Sequence, residues 1–528
     1  MTPRQVFVRE ATGLVREFGW REAFLISQAA QGASFYSVGS QLVYISTADP
    51  GADILLSTLL GFLFCVPLGI SYYLLSTAMP RSGGDYVWIS RVTHPILGLA
   101  AGWGYWIALL LFTAISAWFG PGVLFSQNLV SLGYALGNPG LADMANWFGS
   151  STNVFIVALL IVAFGFFVST AGTKLLSRAM IVMFALEVIG TFAAFLVLAT
   201  SSQASFISAI NGYGGTNLTY QGVIEQAKEL GWSSSLPFQM NITMQSVPLS
   251  VLLFIGFLAS AGAGGEVRNP KRSMVWGILG ALAFSAIINM LGIYLSSSVF
   301  GYDFLSASMF LANNGKWPLP AAPWIGLLIA PLIKNGLVMV LVQIAWSIIS
   351  PFGVIATALI ATRYTFAFAF DRVLPAKLSE VNDRFHFPVY SSILNFVISA
   401  CLLAVIIFTS YIWGLLNGTA IYSLVWFLGS VAAIVLPYSR FKDIAKTLPG
   451  GTWKVPFLTI IGTISAILMA LTFYWSVTTP AIGPSTPEAQ IFLSTIFIIG
   501  AIVYTISYLY NKSRGMDLKL SFAQIPPE

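Results

Sequence analysis

Apolar runs of membrane length recur along the whole 528-residue chain. A helix that crosses the hydrocarbon core of a bilayer needs roughly 20 mostly apolar residues. Twelve segments meet that requirement: about 22–47, 53–79, 95–130, 153–171, 179–201, 247–265, 273–300, 335–363, 387–409, 413–438, 455–476 and 488–510. Only 8% of the residues are charged. A soluble domain carries about a quarter. So few charges cannot cover a water-facing surface, and the expected fold class is an all-α polytopic membrane protein with lipid as its main solvent. The stretch 318–333, interrupted by Pro318, Pro320, Pro323 and Pro331, is expected to be an outer or re-entrant piece and not a span.

The net charge of +6 reflects orientation and not a nucleic-acid partner. Lys and Arg in short loops favour the cytoplasmic side. With the N-terminus inside, only Lys228, Lys316 and Lys334 of the 25 basic residues fall outside. The expected localisation is therefore the cell membrane, multi-pass, with both termini cytoplasmic. The first 20 residues contain no short apolar core of a cleavable signal. The expected organisation is a cytoplasmic N-terminus (1–21), a first five-helix unit (22–201), an outer loop (202–246), a second five-helix unit (247–438), two further helices (439–510) and a loose cytoplasmic tail (511–528). The outer loop carries the sequons Asn217-Leu-Thr and Asn241-Ile-Thr, which leave glycosylation open. Cys65 and Cys401 lie within apolar spans, where a lone Cys behaves as a small hydrophobe, and no disulfide is expected. His94 and His386 are far apart, so no metal site is expected, and no cofactor is implied.

The sixth span has an unusual interior. "FIGFLASAGAGGEVRNPKRS", residues 254–273, runs from an apolar start into Ala259, Ser260, Ala261, Gly262, Ala263, Gly264 and Gly265. Gly disfavours helix by about 1 kcal/mol relative to Ala. Small residues also let neighbouring helices approach closely, and that alternative stands beside a functional one. On the functional reading the helix is discontinuous, and main-chain groups freed at mid-membrane hold the two charges of a zwitterion without buried Asp or Arg. The first span, "SQAAQGASFYSVGSQ" at 27–41, is similarly rich in small and polar residues. It lies five spans earlier and starts on the opposite side, as an inverted repeat of five helices requires. Paired interrupted spans in two halves point to a transporter site.

The residues of 254–273 resemble the sixth-helix signature of the amino acid–polyamine–organocation (APC) superfamily. "MPRSGGDYVWISR" (79–91) is similar to that family's loop between helices two and three. "TRYTFAFAFDRVLPAKLSEVNDRFHFPVYSS" (362–392) is similar to its helix 8–9 loop, and "WKVPFLTIIGTIS" (453–465) to the start of helix eleven. The resemblance implies a 5+5 inverted repeat with discontinuous helices one and six, followed by helices eleven and twelve. It also implies secondary transport of amino acids or related amines by alternating access. By position it assigns Phe254, Ile255, Gly256 and Phe257, with Gln31, Gly32, Ala33 and Ser34, to the substrate pocket. The sequence departs from the family pattern in reading Gln-Gly-Ala-Ser where Gly-Ser-Gly-like spacing is frequent. It also has Leu258 where an acid is common.

Glu187, in "VMFALEVIG", is an acid well inside a span. Intramembrane carboxylates are rare, costly and often functional, and this one is a candidate proton carrier. Some proton-coupled relatives resemble this chain but place a Lys near that position. A protonated Glu that only bridges two helices is the structural alternative. Ser347 and Ser350 in the eighth span are candidate Na⁺ ligands or packing hydroxyls, so sodium symport and exchange stay open beside H⁺ coupling. Glu266, Arg268, Asp371 and Arg372 are a candidate inner gate of ion pairs or ordinary loop charges. A membrane enzyme would need clustered His, Cys, Asp or Ser, and a channel a repeated pore loop; neither pattern is present. A receptor that binds without exchange is the remaining rival.

Overall fold

The computed structural model describes residues 12–32, 51–233, 237–382, 386–409, 417–480, 483 and 485–527. Regular structure among them is helical, with isolated β-bridges only. Among the described residues, ten helical segments are long and apolar enough to cross a membrane. We label the elements used below in chain order: α1 (Trp20–Gln31), α2 (Ile54–Ala78), α3 (Gly84–Val92), α4 (Pro95–Ala135), α5 (Ser151–Thr170) and α6 (Thr173–Ala199). The second half contributes α7 (Met240–Leu252), α8 (Ala259–Gly262), α9 (Pro270–Phe300), α10 (Gly336–Phe370), α11 (Val389–Phe408), α12 (Gly418–Tyr438), α13 (Phe457–Thr478), α14 (Pro487–Ser513) and α15 (Lys519–Ala523).

The ten spans coincide with ten of the twelve expected segments. The remaining two are the first and the sixth, which are the ones expected to be interrupted. Of the first, α1 covers 12 residues, and residues 33–50 lie outside the description. The sixth begins earlier than expected, at Met240, and its helix stops at Leu252.

Polar side chains start these helices by accepting from otherwise unpaired amides of the first turn. Asp53 takes Leu56 N at 2.9 Å, Asn335 takes Leu337 N at 2.9 Å, and Asn417 takes Ala420 N at 3.0 Å. Pro95 and Pro487 occupy first-turn positions, where the missing N–H costs nothing. The 41-residue α4 would be about 60 Å long as a straight helix, twice the hydrocarbon thickness, and a π-helical turn at Gly120–Leu124 interrupts it. Lipid-facing stripes are plain on the outer helices: Ile491, Ile498, Ile502 and Ile506 of α14 are all exposed. Small residues carry the close contacts inside. A β-carbon on Gly190 of α6 would sit 2.3 Å from Ala345 Cβ of α10, and one on Gly61 of α2 would sit 2.9 Å from Ser250 Cβ of α7.

Two connecting segments carry structure of their own, and one expectation changes. The outer loop is folded: helices Gln203–Ile210 and Tyr220–Glu229 bury Phe206 and Tyr220 against Phe300 and Phe304. Within the stretch expected to be an outer or re-entrant piece, residues 325–329 form a short buried helix, too short to span. The C-terminal tail is docked and not loose. Leu518 and Phe522 are both 1% exposed, Arg440 Nη2 donates to Phe522 O at 2.8 Å, and Arg81 Nε donates to Pro526 O at 2.6 Å. Phe522 supplies an apolar anchor, and the chain-end carbonyls satisfy arginines of the connecting loops. This docking places the C-terminal segment at the same end of the bundle as Phe18, which we call the terminal face.

Candidate functional site

Two interruptions meet in the middle of the bundle. Helix α1 ends at Gln31, and Gly32 adopts a left-handed conformation with φ +70°, which glycine reaches without strain. After α7 the chain makes a run of three-residue turns, with Phe254 N on Val251 O (3.0 Å), Ile255 N on Leu252 O (3.2 Å) and Phe257 N on Phe254 O (3.0 Å). The four-residue helix α8 follows. Across the gap, a β-carbon on Gly256 would fall 2.2 Å from Ala30 C and 2.4 Å from Gln31 N. The two main chains are therefore in direct contact, and only glycine allows it.

Polar side chains knit the contact. Gln31 Nε2 donates to Phe254 O at 3.4 Å, and Gln31 Oε1 accepts from Ser285 Oγ of α9 at 2.8 Å and from Gln28 Nε2 at 3.2 Å. Gln28 Nε2 also donates to Ala281 O at 2.9 Å. Ser285 was not singled out by sequence reasoning, and Gln28 only as one of the polar residues of the first span. Their signal is a polar residue at helical spacing on a buried face. Phe254 and Phe257 are buried and pack on Phe62 and Trp426 respectively, so their rings belong to the surrounding core. Ile255 and Gly32 are half-buried at the break. Ala33 and Ser34 lie outside the described residues.

Glu187 is fully buried on the face of α6 shared by Phe184, Gly190 and Thr191. Phe184 packs edge-on against Phe24 of α1 at 5.6 Å, and Gly190 meets Ala345 of α10, so the carboxylate sits on the face of α6 that meets both helices. Ser350 donates to Ser116 O at 2.6 Å, and Ser347 donates to Gln343 O at 2.9 Å while accepting from Asn128. Both hydroxyl protons are committed to main-chain carbonyls.

At the terminal face, buried acids and arginines close the bundle. Arg363 Nε and Nη2 grip both carboxylate oxygens of Glu266, the second at 2.8 Å, and the guanidinium lies 4.3 Å from the Phe387 ring centroid. Arg91 Nη2 meets Asp371 Oδ1 at 2.6 Å, and Tyr86 donates to Asp371 Oδ2 at 2.6 Å. The N-terminal segment bridges to the end of the broken helix, with Phe18 N on Glu266 O (2.9 Å) and Arg268 N on Phe18 O (2.7 Å). Sequence reasoning found the two acids but not their partners. Arg268 is exposed and donates through Nε to Arg16 O, and Arg372 is half-buried, its carbonyl held by Ser507 and Asn511. Beyond the Glu266–Arg363 pair lies a cavity of about 240 Å³ lined in part by Glu17, Lys174 and His386.

The amino acid permease family pattern matches residues 18–503. The chain is similar to the branched-chain amino acid permease BcaP of Lactococcus lactis subsp. cremoris, 25% identical over 467 residues that cover 86% of each chain. It is 24% identical to the methylthioribose transporter of Bacillus subtilis, over 89% of this chain and 88% of that one. Among solved structures it resembles the crystal structure of MhsT in complex with L-phenylalanine, with TM-score 0.52 and 14% identity over 86% of this chain and 98% of the other. That likeness concerns the fold. The family match begins at Phe18, the residue that bridges to the broken helix, and runs into the last span: the chain belongs to the amino acid permease family, multi-pass membrane transporters of the APC superfamily and not enzymes.

Proposed function

We propose that the protein carries small apolar amino acids across the cell membrane by alternating access, driven by protons. The contact of Gly256 with Ala30 and Gln31 carries this reading. It brings two interrupted helices together where main-chain groups, Gln31 and the half-buried Ile255 can hold an α-amino acid. The last-turn carbonyls of α1 carry the negative end of its dipole and suit the ammonium group. Leu258, standing where relatives often have an acid, leaves no charge for a basic side chain, and the named substrate of BcaP supports the apolar class. The terminal face is cytoplasmic on the distribution of basic residues, so the ion pairs there form a closed inner gate. The 240 Å³ cavity beyond it is the start of the exit path.

Glu187 is the candidate proton carrier, since it is buried on the face of α6 that meets α1 and α10. The commitment of the Ser347 and Ser350 protons to carbonyls supports packing roles for them over a sodium site.

Purified protein in vesicles preloaded with unlabelled L-leucine should exchange labelled L-leucine without any ion gradient. An imposed proton gradient should drive accumulation, and a sodium gradient should not. Glu187→Gln should keep the exchange and lose the gradient-driven accumulation. Accumulation by Glu187→Gln with unchanged pH dependence would make Glu187 a structural acid. Absence of exchange for every apolar amino acid would overturn the substrate reading.

A further inference from the structure

Three acids are buried at the terminal face: Asp85, Glu266 and Asp371, at 2%, 3% and 1% exposure. Two of them hold an arginine. Asp85 does not. Its Oδ1 accepts from the Tyr364 hydroxyl of α10 at 2.5 Å, and its Oδ2 accepts from the Tyr72 hydroxyl of α2 at 3.3 Å. Its position is fixed by two glycines before it. Gly83 (φ +92°) donates to Gly262 O of α8 at 2.9 Å, and a β-carbon on Gly84 would lie 3.1 Å from Ala261 O. Asp85 thus sits at the first turn of α3, which connects α2 to α4 without crossing the membrane, and is clasped by α2, α10 and the inner end of the broken helix.

A buried carboxylate is stabilised by a cation, by hydrogen-bond donors or by becoming neutral, and Asp85 has two neutral hydroxyls to offset the burial of a full charge. We propose that Asp85 is a proton-binding site of the inner gate: it takes a proton as α2, α10 and α8 close around it and gives it up to the cytoplasm as they part. The proposal rests on the alternating-access reading above.

The surroundings agree. The titratable groups around Asp85 are Tyr72 on α2, Tyr364 on α10 and, beyond them, Tyr105 on α4 and Tyr422 on α12; the Tyr105 ring lies tilted 5.1 Å from that of Tyr364 and edge-on 5.3 Å from that of Tyr422. On its own helix, Tyr86 and Arg91 are turned to Asp371; on the broken helix, Glu266 is taken by Arg363. Burial pushes the Asp85 carboxyl up to about 7, against the opposing pull of the Tyr364 hydroxyl, the Tyr86 amide and the Tyr72 hydroxyl. A hydrated Asp titrates near 3.9. The closed gate therefore binds the proton more tightly than the open gate. The resulting bias toward closure is fully present below about pH 4 and is lost as the pH rises through about 7. Linkage between those two values raises the closed-to-open ratio about tenfold on going from pH 8 to pH 6.

Infrared titration of the full-length protein in lipid vesicles reads the carboxyl directly. We expect a protonated-carboxyl band with a midpoint of about 7, absent in Asp85→Asn and retained in Glu187→Gln. Tyr364→Phe removes a hydroxyl that favours the anion and should move the midpoint up by about one unit. That variant keeps the test valid where Asp85→Asn fails to fold. In leucine counterflow, lowering the internal pH through neutrality should slow the wild type, and Asp85→Asn should be slow and flat. An unchanged band in Asp85→Asn, a fixed midpoint in Tyr364→Phe, or the same internal-pH dependence in both proteins would overturn the proposal. Failure of counterflow in every variant, with the infrared result intact, would instead remove the transport reading.

Discussion

At Gly256 a single methyl group separates contact from collision. Gly256→Ala places a β-carbon within 2.5 Å of Ala30 O, in a stretch with no flexible side chain to yield. Overpacking of this kind costs about 1–3 kcal/mol. We expect the variant to reach the membrane but to lose leucine exchange, and exchange at the wild-type rate would show that the two breaks need not touch. Arg363 is a different case. Removing it leaves Glu266 buried without its cation, at a cost of about 3–5 kcal/mol. Arg363→Gln should lower the thermal midpoint of the solubilised protein, and the double variant with Glu266→Gln should recover much of the loss. If the double variant melts as low as the single one, the ion pair is not what the substitution disturbed. Glu266 and Asp371 both stood out in the sequence beside family-like motifs. Their arginines did not, because the partners are 97 and 280 residues away in the chain, and nothing local distinguishes Arg91 or Arg363 from loop charges that orient the protein.

Among the elements, the interrupted sixth span was readable because its composition contradicts a membrane helix. Seven small residues in succession, 259–265, and the turn glycine at 256 weaken the helical ladder without offering an alternative in lipid. The start of α7 was misjudged by several residues because Met240–Ser246 is polar enough to read as loop, and it becomes helical by packing Thr243, Ser246 and Ser250 against the second span. The tail was misread for the same reason in reverse. Its 18 residues look polar, yet Phe522 inserts between Tyr504 and the guanidinium of Arg91, at 5.8 and 4.9 Å. Because Arg91 also holds Asp371, α15 braces that ion pair. Phe522→Ala removes a buried aromatic side chain at a cost of about 3 kcal/mol. Its melting temperature in detergent should fall, and truncation after Met516 should match it. A melt identical to wild type in both would mean that α15 only rests on the surface.

For the molecule as a whole, the count of membrane-length apolar runs and the one-sided placement of basic residues set the architecture before any contact is known. They also predict the orientation. A protease-cleavable tag added after Glu528 should resist external protease in right-side-out vesicles and be cut in inside-out ones; the opposite pattern would put the terminal face outside. Apolar length and loop charge are local properties, so the chain alone determined that it is a helical membrane protein and where most of its spans fall. Which helix ends touch, which arginine neutralises which acid, and that Asp85 is buried with tyrosine hydroxyls instead of a cation were decided only by the tertiary structure. Those facts depend on residues that lie tens to hundreds of positions apart and acquire their environment only when the helices pack.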